Sequence, residues 1–91
     1  GIQANSLLAR AYEHQGRWPE AADTYLEVAD RAEFDFQVRE ALNSAARARR
    51  RQQDLVGAAE LYEGILESFE DDDPDRGVYE LRLAEVREYV S

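Results

Sequence analysis

Cysteine is absent, so the chain offers neither a disulfide nor a thiolate metal site, and its redox compartment stays open. Lysine is absent too. All eleven basic residues are arginine, as a GC-rich coding genome or a salt-adapted source would produce. No methionine occurs and Gly1 comes first, which reads as a piece of a longer protein or the scar of a cleaved tag. Five glycines and two prolines are too few for a turn-rich β fold. The apolar runs are only a few residues long, so no segment is predicted to span a membrane. No secretory signal is visible, which leaves both cytoplasm and periplasm open. Basic charge is scarce, with 20 acids against 11 bases and a net charge of −9. That balance opposes generic binding of nucleic acid or anionic membranes.

Chemistry-bearing constellations are equally sparse. His14 is the only histidine, so no second one can share a metal or complete a triad. Its expected place is the last turn of a helix, where it answers the helix dipole. Asp71, Asp72 and Asp73 lack the interleaved ligands and glycine of a calcium loop. Capping and solvation are their expected roles. No glycine-rich phosphate loop is present. The expectation is therefore no catalytic residue, no metal and no cofactor.

What the chain does hold is 44% apolar and 34% charged residues, dominated by helix formers. Ninety-one residues suffice for one domain, 1–91, near the lower limit for an independent core. Ala4, Leu7, Leu8, Ala11 and Tyr12 trace one helical face, and Gly16 ends that helix. A second helix begins at Trp18-Pro19 and runs to about Ala32, with Leu8, Tyr12, Ala21 and Tyr25 holding the hairpin together. Asp35 is the expected cap of a third helix reaching Arg51, with Val38, Ala41, Leu42, Ala45, Ala46 and Ala48 on its apolar side. Asp54 caps a fourth. Asp73 as cap and Pro74 at the first helical position open a fifth, running to about Val90. Its expected faces set Val78, Val86, Tyr89 and Arg82 on one side and Leu81 and Ala84 on the other. The class is all-α, with about five helices.

The chain also repeats itself. Ala21-Ala22-Asp23-Thr24-Tyr25 recurs 37 residues later as Ala58-Ala59-Glu60-Leu61-Tyr62, and Leu8-Ala9-Arg10-Ala11 as Ala45-Ala46-Arg47-Ala48. Trp18 falls on Leu55 and Val28 on Ile65. A period of this size marks a helical-hairpin solenoid. Leu8, Ala9, Tyr12, Gly16, Trp18, Ala21 and Tyr25, and in the second copy Ala46, Leu55, Ala58, Tyr62 and Ile65, resemble the tetratricopeptide repeat family. The second copy departs at Ala45, Arg49 and Gln53, where the family has Leu, Tyr and Gly. Glu33 replaces the proline that usually ends the repeat. With its long period and Pro74, the second copy looks like longer-period bacterial members of the family. Leu83-Ala84 is a candidate start of a third copy.

The resemblance implies a right-handed superhelical stack of antiparallel hairpins. Repeat one would span about 2–35, repeat two about 36–72, and a capping or half-repeat helix about 74–90. It also implies a concave groove lined by the first helix of each hairpin, onto which Gln3, Ser6, Arg10, Glu13, His14, Glu40, Asn43, Arg47, Arg50 and Arg51 map. Arginines there would grip peptide carboxylates. Alternatively, Arg47, Arg49, Arg50 and Arg51 answer the helix dipole and pair with the acidic fourth helix. Function is then expected to be non-catalytic binding of a peptide or protein partner. The alternatives are a structural element that self-assembles into a homo-oligomer or a longer solenoid, and a regulatory domain attached to an enzyme or transcription factor.

Overall fold

The computed structural model describes residues 2–90, and the side chains of residues 3–89. Five helices follow one another: α1 (Ile2–His14), α2 (Trp18–Arg31), α3 (Asp35–Arg51), α4 (Leu55–Glu67) and α5 (Arg76–Val90). The described residues contain no strand. Short links force antiparallel neighbours, and each helix packs chiefly on the helices before and after it in the chain. The Cα envelope measures 34 × 31 × 15 Å. Its thin dimension is that of two helix layers, with axes roughly 8–10 Å apart and a Cα radius of about 2.3 Å on either side.

The 37-residue displacement reappears in the packing. Ala9 and Ala46 are both 0% exposed, as are Ala21 and Ala58. Tyr25 and Tyr62 are both buried, and so are Val28 and Ile65. Small residues occupy the helix crossings and aromatics fill the hairpin interiors. On α3 the two faces separate cleanly. Ala45 packs with Tyr25, and Ala48 with Ala21 and Ala22, all on α2. Ala46 and Leu42 instead join Ala58, Tyr62 and Ile65 of α4. Leu83 and Val86 of α5, with Tyr79 beside them, close that same cluster.

The turns repeat as well. Gly16 has φ 73°, and Gln53, at the equivalent position, has φ 68°. Both follow helices whose last carbonyls need a left-handed residue to close the turn. Glycine adopts that conformation without strain and glutamine does not. After each of them, Arg17 and Asp54 open the next helix; the Asp54 carboxylate accepts the Gly57 N–H at 3.0 Å.

Several expectations are corrected. Leu8 does not hold the first hairpin together, being 46% exposed. It occupies the position of Ala45, which faces a preceding helix, and no described helix precedes α1. The hairpin closes through Ala9 on Tyr25, and through Tyr12 with Ala21 and Ala22. Asp35 is the first helical residue, and Phe34 holds the cap position in an extended conformation. There the Gln37 side chain accepts the Phe34 N–H at 3.4 Å, and Asp35 acts on the helix dipole instead. Pro74 lies before the helix proper: Asp73 accepts the Asp75 N–H at its carboxylate (2.9 Å) and the Arg76 N–H at its carbonyl (3.2 Å). That single turn leads into α5 at Arg76. Val86 is fully buried against α4, whereas Val78, Leu81 and Tyr89 are exposed.

Candidate interaction face

Four of the residues mapped to the groove lie on α1 and α3 around two depressions. Ser6, Arg10 and Glu40 line a pocket of about 280 Å³ between α1, α2 and α3, with Gln37, Ser44 and Tyr25 in its walls. Gln3, Ser6 and Arg10 also border an apolar hollow beside Ala4 and Leu7. His14 is exposed at the end of α1, as its dipole role requires.

Glu13 and Arg47 couple the two helices. Arg47 Nη2 donates to Glu13 Oε1 at 3.0 Å, and the Glu13 side chain is only 19% exposed. The Glu13 carboxylate also acts on Tyr25, whose phenol is pushed up to about 12, first by burial and then by Glu13. One α1 carboxylate therefore raises the pKa of an α2 phenol and holds an α3 guanidinium. Asn43 is half-buried, and its Oδ1 is buried without a hydrogen-bond partner. A buried acceptor left unsatisfied costs free energy until a donor reaches it.

Arg47, Arg50 and Arg51 come together, but in different company from that expected. They line a hollow of about 380 Å³ with Tyr62 of α4 and Arg82 of α5. Arg47 pairs with Glu13 of α1, and the Arg51 guanidinium lies 5.8 Å from the Trp18 ring centre. No acid of α4 pairs with the arginines of α3 among the described residues. Arg49 lies apart from the hollow, beside Asp54 and Gly57. Sequence reasoning missed Arg82, Gln37 and Ser44. The signal for Arg82 was available: Tyr79, Leu83 and Val86 pack on α4, which sets Arg82 on the flank of that stripe, toward α3.

Among the described residues no His, Cys, Asp or Glu group could hold a metal ion, and no helix is long and apolar enough to cross a membrane. The hollows are open, and their linings mix apolar, polar and charged side chains.

Residues 4–39 match the tetratricopeptide repeat family, which spans α1, α2 and the start of α3. No curated protein and no solved structure matches the chain. The first hairpin, with Ala9, Tyr12, Gly16, Ala21 and Tyr25 where the signature requires them, is thus the part of the chain that is similar to a tetratricopeptide repeat.

Proposed function

We propose that the chain is a non-catalytic binding module that presents the α1–α3 face as a groove for a peptide or partner protein. Tetratricopeptide repeats generally mediate protein–protein interaction, and the family match carries this reading. The supporting geometry is the row of polar side chains from Ser6 and Arg10 through Glu40 to Arg47, backed by buried Tyr25. A bound segment would bridge helices whose spacing is already fixed by the Glu13–Arg47 pair and by alanine packing, so little ordering cost falls on the protein side. A peptide-array screen comparing the native chain with Arg47→Glu and Arg50→Glu tests it. Altered binding by both variants is expected; an unchanged array would refute the groove.

The second reading, a structural element of a longer stack or of a homo-oligomer, draws on the ends of the molecule. Leu7 and Leu8 on α1 and Leu81 on α5 are 64%, 46% and 61% exposed, and Ala84 is exposed beside Leu81. A helical repeat buries its apolar faces by stacking, so such ends accept further helices. In this reading residues 74–90 are the first half of a third repeat. Light scattering over a concentration series separates the readings: a strictly monomeric species counts against self-assembly, and concentration-dependent growth supports it.

A further inference from the structure

We infer that the groove between the starts of α3 and α5 docks a basic peptide, which seats one large apolar side chain among aromatic rings and sets its cations on an acidic rim. The groove adjoins the α1–α3 pocket at Glu40 but is otherwise lined by different residues, so it does not depend on that reading. Two short flanks form it. Phe36, Arg39 and Glu40 stand at i, i+3 and i+4 on α3. Asp75, Val78 and Tyr79 follow the same spacing from the turn before α5 into its start, and Phe69, just past α4, completes the lining. All three phenylalanines of the chain gather here. The Phe69 and Tyr79 ring centres are 5.7 Å apart, and both side chains pack on the core cluster of α4 and α5, which gives the groove a firm floor. Phe36 stacks on Phe34 at 5.9 Å. Phe34, Phe36 and Val78 are nonetheless more than half exposed. A stacked aromatic pair beside an apolar hollow contributes little to this fold while it stays in water, and much to a contact that covers it. The volume of about 310 Å³ fits one large side chain with the backbone that carries it.

Charge selects the occupant. The segments 33–40 and 69–79 hold eight of the chain's 20 acids against two arginines. Both arginines are engaged by the protein itself: the Arg39 guanidinium lies 4.3 Å from the Phe69 ring centre, and Arg76 donates to the carbonyls of Leu66 and Phe69. Glu40 and Asp75 line the groove, Glu33 and Asp35 bracket Phe34, and Glu70 and Asp71 follow Phe69, all of them exposed. A rim of one sign around an apolar floor attracts cations and repels nucleic acid, anionic membrane and the same face of a second copy. Arg39 over Phe69 shows that these rings take a guanidinium on their faces. A neutral apolar segment would cover the rings and leave the rim repulsion unanswered. An acidic one would add to it. A basic segment with an apolar anchor answers both.

Fluorescence anisotropy with a labelled peptide of Arg and Lys around a central Leu tests the groove. Two counterparts accompany it, one with Glu at every basic position and one with Ser for the Leu. The native chain should bind the basic peptide, more weakly as salt rises, and should not bind the Glu counterpart. The Ser counterpart and the Phe36→Ala variant should each weaken binding about tenfold. Asp75→Asn, joined with Asp71→Asn, should weaken it and flatten its salt dependence. Glu27→Gln on α2 and Val56→Ala on α4, exposed but remote from the groove, should bind as the native chain does. Thermal melts by circular dichroism verify that each variant is folded. Failure of the native chain to bind, equal binding of the Glu counterpart, native affinity in Phe36→Ala, or a loss in Glu27→Gln equal to that in the Asp variant would overturn the inference. Binding lost in Arg50→Glu but kept in Phe36→Ala would overturn it in favour of the α1–α3 face. Concentration-dependent association of the native chain alone that Phe36→Ala abolishes would overturn it by giving the groove to a second copy.

Discussion

At the scale of single residues, the two copies of the repeat act as internal controls for each other. Gly16 and Gln53 share a left-handed turn, and only one of them suits it. Gln53→Gly should therefore stabilise the fold by about 0.5–1 kcal/mol, the left-handed strain relieved less the added chain entropy. Gly16→Ala should cost about 1 kcal/mol for the same reason. Urea denaturation of both variants checks the pair; equal and negligible effects would contradict the strain. The alanines at the crossings are as strict. Ala45 and Ala46 are 0% exposed between α2 and α4, so Ala45→Leu should destabilise by about 1–3 kcal/mol through overpacking.

Tyr25 gives the residue scale a pH signature. Its folded-state pKa is raised from 10.0 to about 12, so the folded chain favours the protonated phenol. The stabilisation is complete below about pH 10 and is lost as pH rises through about 12. Ultraviolet titration should find one tyrosine ionising near pH 12, and Glu13→Gln should bring it down without returning it to 10, since burial is the larger cause.

At the scale of elements, the helices and their order were legible because periodicity, turns and the repeat all pointed the same way. Apolar spacing found the helices, and Gly16 and Asp54 marked their ends. What escaped was orientation where one face has no neighbour. Leu8 carries the right residue type for a core, but its burial depends on a helix preceding α1, which local pattern does not register. The same holds for α5, rich in apolar residues all round. Only contact with α4 selects Tyr79, Leu83 and Val86 over Val78, Leu81 and Tyr89. The groove residues on α1 and α3 were reached through the family resemblance, and Arg82 was lost with the orientation of α5.

The α4–α5 connection makes its own prediction. Arg76 Nη1 donates to the carbonyls of Leu66 at 2.8 Å and Phe69 at 3.4 Å, satisfying the end of α4 from the start of α5. Charged donors at exposed helix carbonyls are favoured both by hydrogen bonding and by the dipole. Arg76→Met keeps the stem and removes the donors, and should cost about 1–2 kcal/mol. Hydrogen exchange should locate the loss in the last turn of α4 and the first of α5.

At the scale of the molecule, a slab of two helix layers carries net negative charge and a local positive hollow between α3 and α5. The acidic surroundings repel anionic partners in general. Recognition on the α1–α3 face, with the arginine hollow at one end, is the central claim. Amide chemical-shift mapping during titration with a peptide selected from the array tests it most directly. The account predicts that the perturbed amides cluster at Arg10, Glu40, Arg47, Arg50 and Arg82. Shifts confined instead to exposed positions of α2 and α4, such as Glu27, Val56 and Glu60, would contradict it.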